Sequence, residues 1–471
     1  MSENLQDSDG KTVAVIGGGV AGLSAAAALA EAGYHVQLLE RRGYLGGRAS
    51  SYLHPGVNEV IDNCQHALIG AYTNLLEFYR RIGVAEKIHW TTDYTMIEPG
   101  GRRSALGASR LPAPLHGLPK LLRCGAFSFA DKVSLVRAFT AILRGKGNDP
   151  RESLGDWLRR HKQSKGAMER FWRLVIASAL NSDIDEIGVN YASMVIRGLF
   201  MESADAGALG MSTVPLSELY AEAPGFLAAR GGEVLLNATV EGLAWDAAER
   251  TWSLRIRGAD EATRADFVVL ALPFEGLQKF LPALPEVEGK GTLAAQIERH
   301  VHWPLSSVHL WFDREVTDLE HAVLLDRELH WMYNQSKLQR RPGNYIELVQ
   351  SASRAFAELP REQAIAQAVE EVKEFFPEAR GAKVVKAALV KEVRATFGVP
   401  PGIDAARPGS NSPWPNLFLA GDWIQTGWPS TMESAARSGH LAAEAVSAEA
   451  GEARRFLVPD LMPRGLMRFT R

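Results

Sequence analysis

Cysteine is nearly missing from this chain of 471 residues: Cys64 and Cys124 are the only two. They cannot form a disulfide framework or a Cys-rich metal cluster, so no metal site is expected and a reducing cytoplasm is the expected compartment. The opening residues lack the cationic, apolar, small-residue order of a secretory leader. An excess of one charge is also lacking. With 52 Lys and Arg against 55 Asp and Glu, the formal net charge is -3, which gives no electrostatic footprint for nucleic acid. The one long uncharged run, Val13 to Ala30, is interrupted by Gly17, Gly18, Gly19, Gly22 and Ser24 and is barely long enough to span a bilayer, so it is read as soluble. Internal repeats and low-complexity tracts are missing as well. What remains is ordinary globular composition at a length beyond the growth of a single core, so two compact units are expected.

Near the N-terminus a β-branched run, Lys11 to Ile16, is followed by Gly17-Gly18-Gly19-Val20-Ala21-Gly22 and an alanine-dense stretch to Ala32. This reads as strand, glycine turn, helix. Gly33 closes the helix, Tyr34 to Leu39 gives a second strand, and Glu40 stands at its end, 18 residues beyond Gly22. Gly17 permits the tight turn, Gly19 lets backbone N–H groups approach a pyrophosphate, and Gly22 lets helix and strand pack closely. Glu40 can accept hydrogen bonds from both hydroxyls of an adenosine ribose. Tyr44-Leu45-Gly46-Gly47-Arg48 then arrives where a nicotinamide domain would continue into a helix. Adjacent glycines let the chain pass under a bulky ligand, and Arg48 offers a fixed charge to a phosphate or a flavin edge. The plainer alternative is a loop with a surface arginine.

A second unit of the same kind lies near the other end. Asn416 to Ala420 reads as a strand, and Gly421-Asp422 opens the turn GDWIQTGWPSTMESAARSGH. Ser430 and Glu433 have capping-box spacing, predicting a helix that begins near Ser430 or Thr431. Its N-terminus would set partial positive charge beside the flavin edge that gathers negative charge on reduction.

GGGVAG with its trailing glutamate, YLGGR, and GDW with STMESAARSG together resemble the FAD-dependent amine oxidase and phytoene desaturase superfamily. A narrower resemblance is to the hydroxysqualene dehydroxylases, also described as squalene-associated FAD-dependent desaturases. It is carried by Asp62-Asn63-Cys64-Gln65-His66, Thr213 to Tyr220 (TVPLSELY), Arg394-Ala395-Thr396-Phe397 and the GDW stretch. Cys64 stands where that family has glycine. The resemblance implies an α/β fold: an FAD-binding Rossmann-like domain of the glutathione reductase type with a discontinuous, amine-oxidase-like α+β substrate domain. It implies that Gly17, Gly19, Ala21, Gly22, Glu40, Arg41, Gly47, Arg48, Val240, Gly421, Asp422 and Met432 contact FAD. The FAD domain is expected over 11–105, 226–275 and 390–450, the isoprenoid substrate domain over 106–225 and 276–389, and a C-terminal tail over 451–471.

The implied reaction removes the hydroxyl of hydroxysqualene reductively to give squalene. Expelling hydroxide into an apolar site is costly, so a proton donor is expected. His66 and Asp62 are the candidates by motif position, with Gln65 positioning; His66 is preferred because an unperturbed imidazole titrates near working pH. Trp423 and Trp428 are candidate walls of an apolar tunnel, one of them a structural filler behind the cofactor. Pro99 to Ala130 mixes Arg102, Arg103, Arg110, Lys120 and Arg123 with leucine and phenylalanine, the pattern of a segment that dips into an anionic membrane surface or of a basic hairpin on the core. Alternatives to the dehydroxylase are a carotenoid or phytoene-type desaturase, a flavin amine oxidase, and a non-catalytic isoprenoid carrier. The amine oxidase reading is weakened by Thr431, which occupies a position that is aromatic in those enzymes.

Overall fold

The β-branched run ending at Ile16 becomes the strand Thr12–Ile16 at the centre of a five-stranded parallel sheet, in the order Glu233–Leu236, His35–Glu40, Thr12–Ile16, Phe267–Leu270, Leu417–Leu419. The computed structural model describes residues 10–469. The opening residues examined for a leader, and Thr470 and Arg471 of the tail, lie outside that range. Parallel strands covered on both faces read as continuous apolar runs, and the Phe267–Leu270 strand is buried throughout.

Every residue from Val20 to Ala30 of the helix Val20–Glu31 is buried, because the sheet covers one side and the C-terminal helix Met432–Glu449 covers another. Small residues permit that approach. A Cβ on Gly439 would stand 2.3 Å from the Ala21 carbonyl oxygen, so the two helix backbones nearly touch.

The second unit is built on a seven-stranded sheet, in the order Val384–Phe397, His302–Phe312, Asn344–Ser351, Trp331–Asn334, His321–Leu324, Asp93–Ile97, Arg103–Gly107. Side chains alternate across it. Val308, Leu310, Ile346 and Leu348 pack on the helix Arg361–Phe375 through Ala364, Ala368 and Val372. The opposite face, with Trp331, Tyr333 and Val349, looks across a cavity at the helices Leu174–Leu180 and Val189–Phe200. The divisions expected after 105 and before 390 fall inside two strands of this sheet, Arg103–Gly107 and Val384–Phe397. The strand Val384–Phe397 pairs with residues more than 70 positions earlier, and Arg103–Gly107 joins the sheet through its hairpin partner Asp93–Ile97, which pairs in turn with the distant strand His321–Leu324; a local reading sees neither long-range pairing.

Candidate flavin and substrate site

Ile16, Leu270 and Leu419 sit side by side in register at the carboxyl ends of three parallel strands, the edge where open α/β sheets bind ligands. Two glycine turns leave this edge. At the first, Gly17 has φ 116°, and a Cβ on Gly22 would lie 1.9 Å from the Gly17 carbonyl oxygen. No side chain caps the helix Val20–Glu31 and no acid stands in its first turn. A Cβ on Gly19 would meet nothing closer than 3.9 Å. Uncapped N–H groups beside open backbone suit a phosphate. Glu40 is buried, and its two oxygens accept from Gly18 N (2.7 Å) and Arg42 N (2.8 Å), leaving a lone pair on each for a ribose. These features fit FAD. Ala21 lies buried in the helix's first turn, while Arg41 is exposed at the strand end and Val240 half-buried on a neighbouring edge strand.

The second turn leaves Leu417–Leu419 through Gly421 and Asp422. The segment Gly46-Gly47-Arg48 joins the two turns: Gly46 N donates to Gly18 O (2.8 Å), and Arg48 pairs with Asp422 at 2.5 Å. Asp422 also accepts from Ser430 Oγ at 2.6 Å, and the neighbouring Arg48 charge helps hold its carboxyl below the usual carboxylate range against burial. Arg407, buried in what reads in sequence as a loop, donates to Asp422 O, Trp423 O and Ile424 O and so fixes the turn.

The helix expected near Ser430 does begin there, as Met432–Glu449, but its cap differs. Thr431 Oγ1 accepts from Ser434 N at 3.1 Å, and Glu433, instead of closing a box with Ser430, turns inward. Its carboxylate accepts from Asn74 N and Leu75 N, capping the distant helix Thr73–Arg81. The sequence held no signal for that partner, which is 359 residues away.

The loop Asp62 to His66 crosses beneath the cavity. His66 Nδ1 donates to Cys64 O at 2.7 Å, which leaves Nε2 as the acceptor of the neutral ring. Burial, with Arg48 nearby, lowers the His66 pKa below the ordinary imidazole value. The expectation of an unperturbed imidazole therefore fails: the ring is neutral at pH 7. Asp62 does not border the cavity. Ser51 Oγ (2.6 Å) and Leu216 N (3.0 Å) occupy its carboxylate, and burial pushes it up to about 6. Asp62 thus ties TVPLSELY to the loop, and Tyr220 of that stretch lies over Gly46. Gln65 does border the cavity, and its backbone N–H donates to Glu347 Oε1 at 2.6 Å. Glu347 escaped the sequence reading, having no motif around it. Burial, with Asp62 close by, pushes it up to about 8.

Arg48, His66, Thr431 and Met432 form the polar end of a cavity of about 1780 Å³, its open mouth included, and Ala395 and Thr396 of the RATF stretch close the same end. The rest of the wall is mostly apolar, with Ser178, Asn181, Ser351 and Glu392 among its polar members. Trp428 borders it, edge-on to Tyr72 with ring centroids 5.7 Å apart. Trp423 does not: it is fully buried, its indole N–H donating to Leu272 O at 2.9 Å, and so fills space behind the turn. Tyr94, Phe200, Trp331 and Tyr333, unremarked in sequence, supply the remaining aromatic wall. Among the described residues no cluster of three or more His, Cys, Asp or Glu could hold a metal, and no helix is long and apolar enough to cross a membrane.

A dinucleotide cradle opening on a largely apolar chamber is the layout of a flavin-dependent oxidoreductase. The family described as flavin containing amine oxidoreductase matches residues 20–447, and the chain belongs to it; FAD is its cofactor. The chain is 29% identical to a hydroxysqualene dehydroxylase of Rhodopseudomonas palustris, covering 93% of this chain and 99% of that one. It is 27% identical to a 15-cis-phytoene desaturase of Synechococcus elongatus, over 94% and 97% of the two chains. Among solved structures, a putrescine oxidase shares the fold with a TM-score of 0.71 at 16% identity, over 93% of this chain and 99% of that one.

Proposed function

We propose that the enzyme reductively dehydroxylates hydroxysqualene to squalene. One observation carries this reading: three of the four stretches of the narrower resemblance, in 62–66, 394–397 and 421–435, meet at one end of a single, mostly apolar cavity, and the fourth, 213–220, is fastened to the first by Leu216 N donating to Asp62. Gly17, Gly19, Ala21, Gly22, Glu40 and Val240 would hold the adenosine and pyrophosphate, with Arg41 at the rim. Gly47, Arg48, Gly421, Asp422 and Met432 would hold the ribityl and isoalloxazine side. Reduced FAD supplies the hydride equivalent, so that substrate, one proton and one hydride yield squalene and water. His66 Nε2, once it has taken a proton from solvent before the substrate closes the site, donates to the substrate hydroxyl oxygen and orients the C–O bond. Apolar walls keep water from the reacting carbon.

Protonation of the leaving oxygen then draws on the His66 imidazolium, a scarcer but stronger acid than usual because its pKa is lowered. The expected result is squalene from dithionite-reduced protein incubated anaerobically with hydroxysqualene, at a single-turnover rate that rises as pH falls, because the imidazolium fraction grows until the lowered His66 pKa is reached. His66→Gln should flatten that pH profile. No squalene removes the functional reading, whereas an unchanged profile in the variant removes only the histidine. Reduction of the oxidised enzyme by phytoene would favour a desaturase.

The substrate would arrive from a lipid surface. Leu111, Leu115, Leu122 and Phe129 are exposed in or beside the 99–130 segment, Phe129 to 81%. The tail adds Met462, Leu466 and Phe469, joined to this patch by Leu466 N donating to Ala113 O at 2.8 Å. Arg110, Arg123 and Arg468 accompany the patch, complementary to anionic headgroups. Co-sedimentation with anionic vesicles should exceed that with neutral ones and fall several-fold in Phe129→Glu; equal sedimentation with both vesicle types would dismiss the membrane contact.

A further inference from the structure

The cavity beside Arg48 and His66 is not the only apolar chamber in the second unit. Another, of about 1020 Å³ with its mouth included, lies beneath the helix Phe129–Leu143 and reaches Leu115 and Val136 of the exposed patch. Four side chains border both chambers: Tyr94, Leu106, Leu199 and Phe200.

They are not equivalent. Tyr94 is pinned, its hydroxyl donating to Gly207 O at 2.6 Å. Leu106 is almost fully buried on its strand. Phe200 is the last residue of the helix Val189–Phe200, half-buried, with no polar atom to anchor its ring. Its neighbours on the far side are Phe171, 5.4 Å away between centroids, and Phe139 at 6.0 Å, both in the wall of the second chamber. These contacts are apolar and non-directional, so the ring can slide along them at little cost, whereas Tyr94 would have to break a buried hydrogen bond.

We propose that Phe200 is the partition that a long isoprenoid chain must thread, so that residue 200 sets which chain lengths the enzyme accepts. The inference rests on the dehydroxylase reading for the identity of the chain. The hydroxyl-bearing middle of a thirty-carbon substrate lies beside His66, and one of its two arms passes between Phe200 and Tyr94 into the second chamber. A fifteen-carbon chain is held by the first chamber alone.

The test titrates oxidised holoenzyme with squalene and with a fifteen-carbon isoprenoid hydrocarbon, reading perturbation of the flavin absorbance. In Phe200→Trp, squalene affinity should fall at least about tenfold while the shorter chain changes less than about twofold. In Phe200→Ala neither should weaken. Flavin content and melting temperature establish that each variant folds. Loss of both ligands together in a folded Phe200→Trp protein, or loss of neither, overturns the partition, as does a wild-type protein that senses neither hydrocarbon. Because binding needs no turnover, squalene binding that depends on residue 200 would stand even if hydroxysqualene were not converted.

Discussion

Gly22→Val is expected to purify without yellow colour and with a stability loss of at least about 3 kcal/mol. The first added carbon would sit 1.9 Å from the Gly17 carbonyl oxygen and 3.1 Å from Ala271 Cβ. Ordinary overpacking is relieved by side-chain shifts, but here the obstacle is backbone in a turn already held at φ 116°. Helix and strand must separate, and the uncapped N–H groups then lose their common aim. Gly19→Ala separates fold from ligand. Its Cβ has no protein neighbour within 3.9 Å, so the variant should melt like wild type yet lose most of its FAD, because the carbon occupies the space assigned to the pyrophosphate. Absorbance of the bound flavin and thermal melting read both effects. Full flavin content in Gly19→Ala would move the pyrophosphate elsewhere, and full content in Gly22→Val would deny the turn its part in binding.

Glu347→Gln should stabilise the protein, and more so as pH rises. The wild-type carboxyl is fully buried, accepts from Gln65 N and Gln335 Nε2, and is raised from 4.5 to about 8. Its folded value lies above its unfolded one, so the folded state binds the extra proton. The contribution is whole below pH 4.5, falls as pH rises through that window, and is gone above about 8. At roughly 1.4 kcal/mol per unit of pKa shift, urea unfolding near pH 9 should favour the variant by about 3 to 5 kcal/mol, and near pH 5 by little. Glutamine fits because the Gln335 amide can reverse, offering its otherwise unpartnered Oε1. Burial holds His309 and His440 down at about 3 and His330 at about 4. They work in the opposite sense: their stabilisation is lost as pH falls below 6.5 through those values, so the alkaline measurement is free of them. A difference that does not vary with pH would mean that Glu347 is not the titrating group.

The cofactor cradle was legible because its requirements are local. Gly17, Gly22 and Gly46 answer to turn geometry within a few residues, and Glu40 to a strand–helix–strand unit of roughly thirty residues; such constraints mark the sequence directly. The start of the C-terminal helix was legible for the same reason. Glu433 was misassigned because its spacing from Ser430 mimics a box, while its real partners, Asn74 and Leu75, are neighbours only after folding. His66 was found by position but not by charge state, since burial leaves no trace in a pentapeptide. Glu347 sits in an alternating strand whose pattern declares that residues 345, 347 and 349 share a face, not that a loop will close over the middle one. The large sheet hid for a related reason: its long central strands pair across wide sequence gaps, so periodicity proposed strands without order.

Much of the apolar wall of the two chambers comes from strands and helices within residues 94–200 and 305–349, which contribute nothing to the five-stranded sheet, while the polar end of the first chamber is shared with the dinucleotide turns through Arg48, Thr431 and Met432. Away from that shared end, grip on the coenzyme and fit to the hydrocarbon are inherited separately. Mutation can resize one compartment without loosening the other, so a single architecture can be retuned from one terpenoid to the next while its redox machinery stays intact.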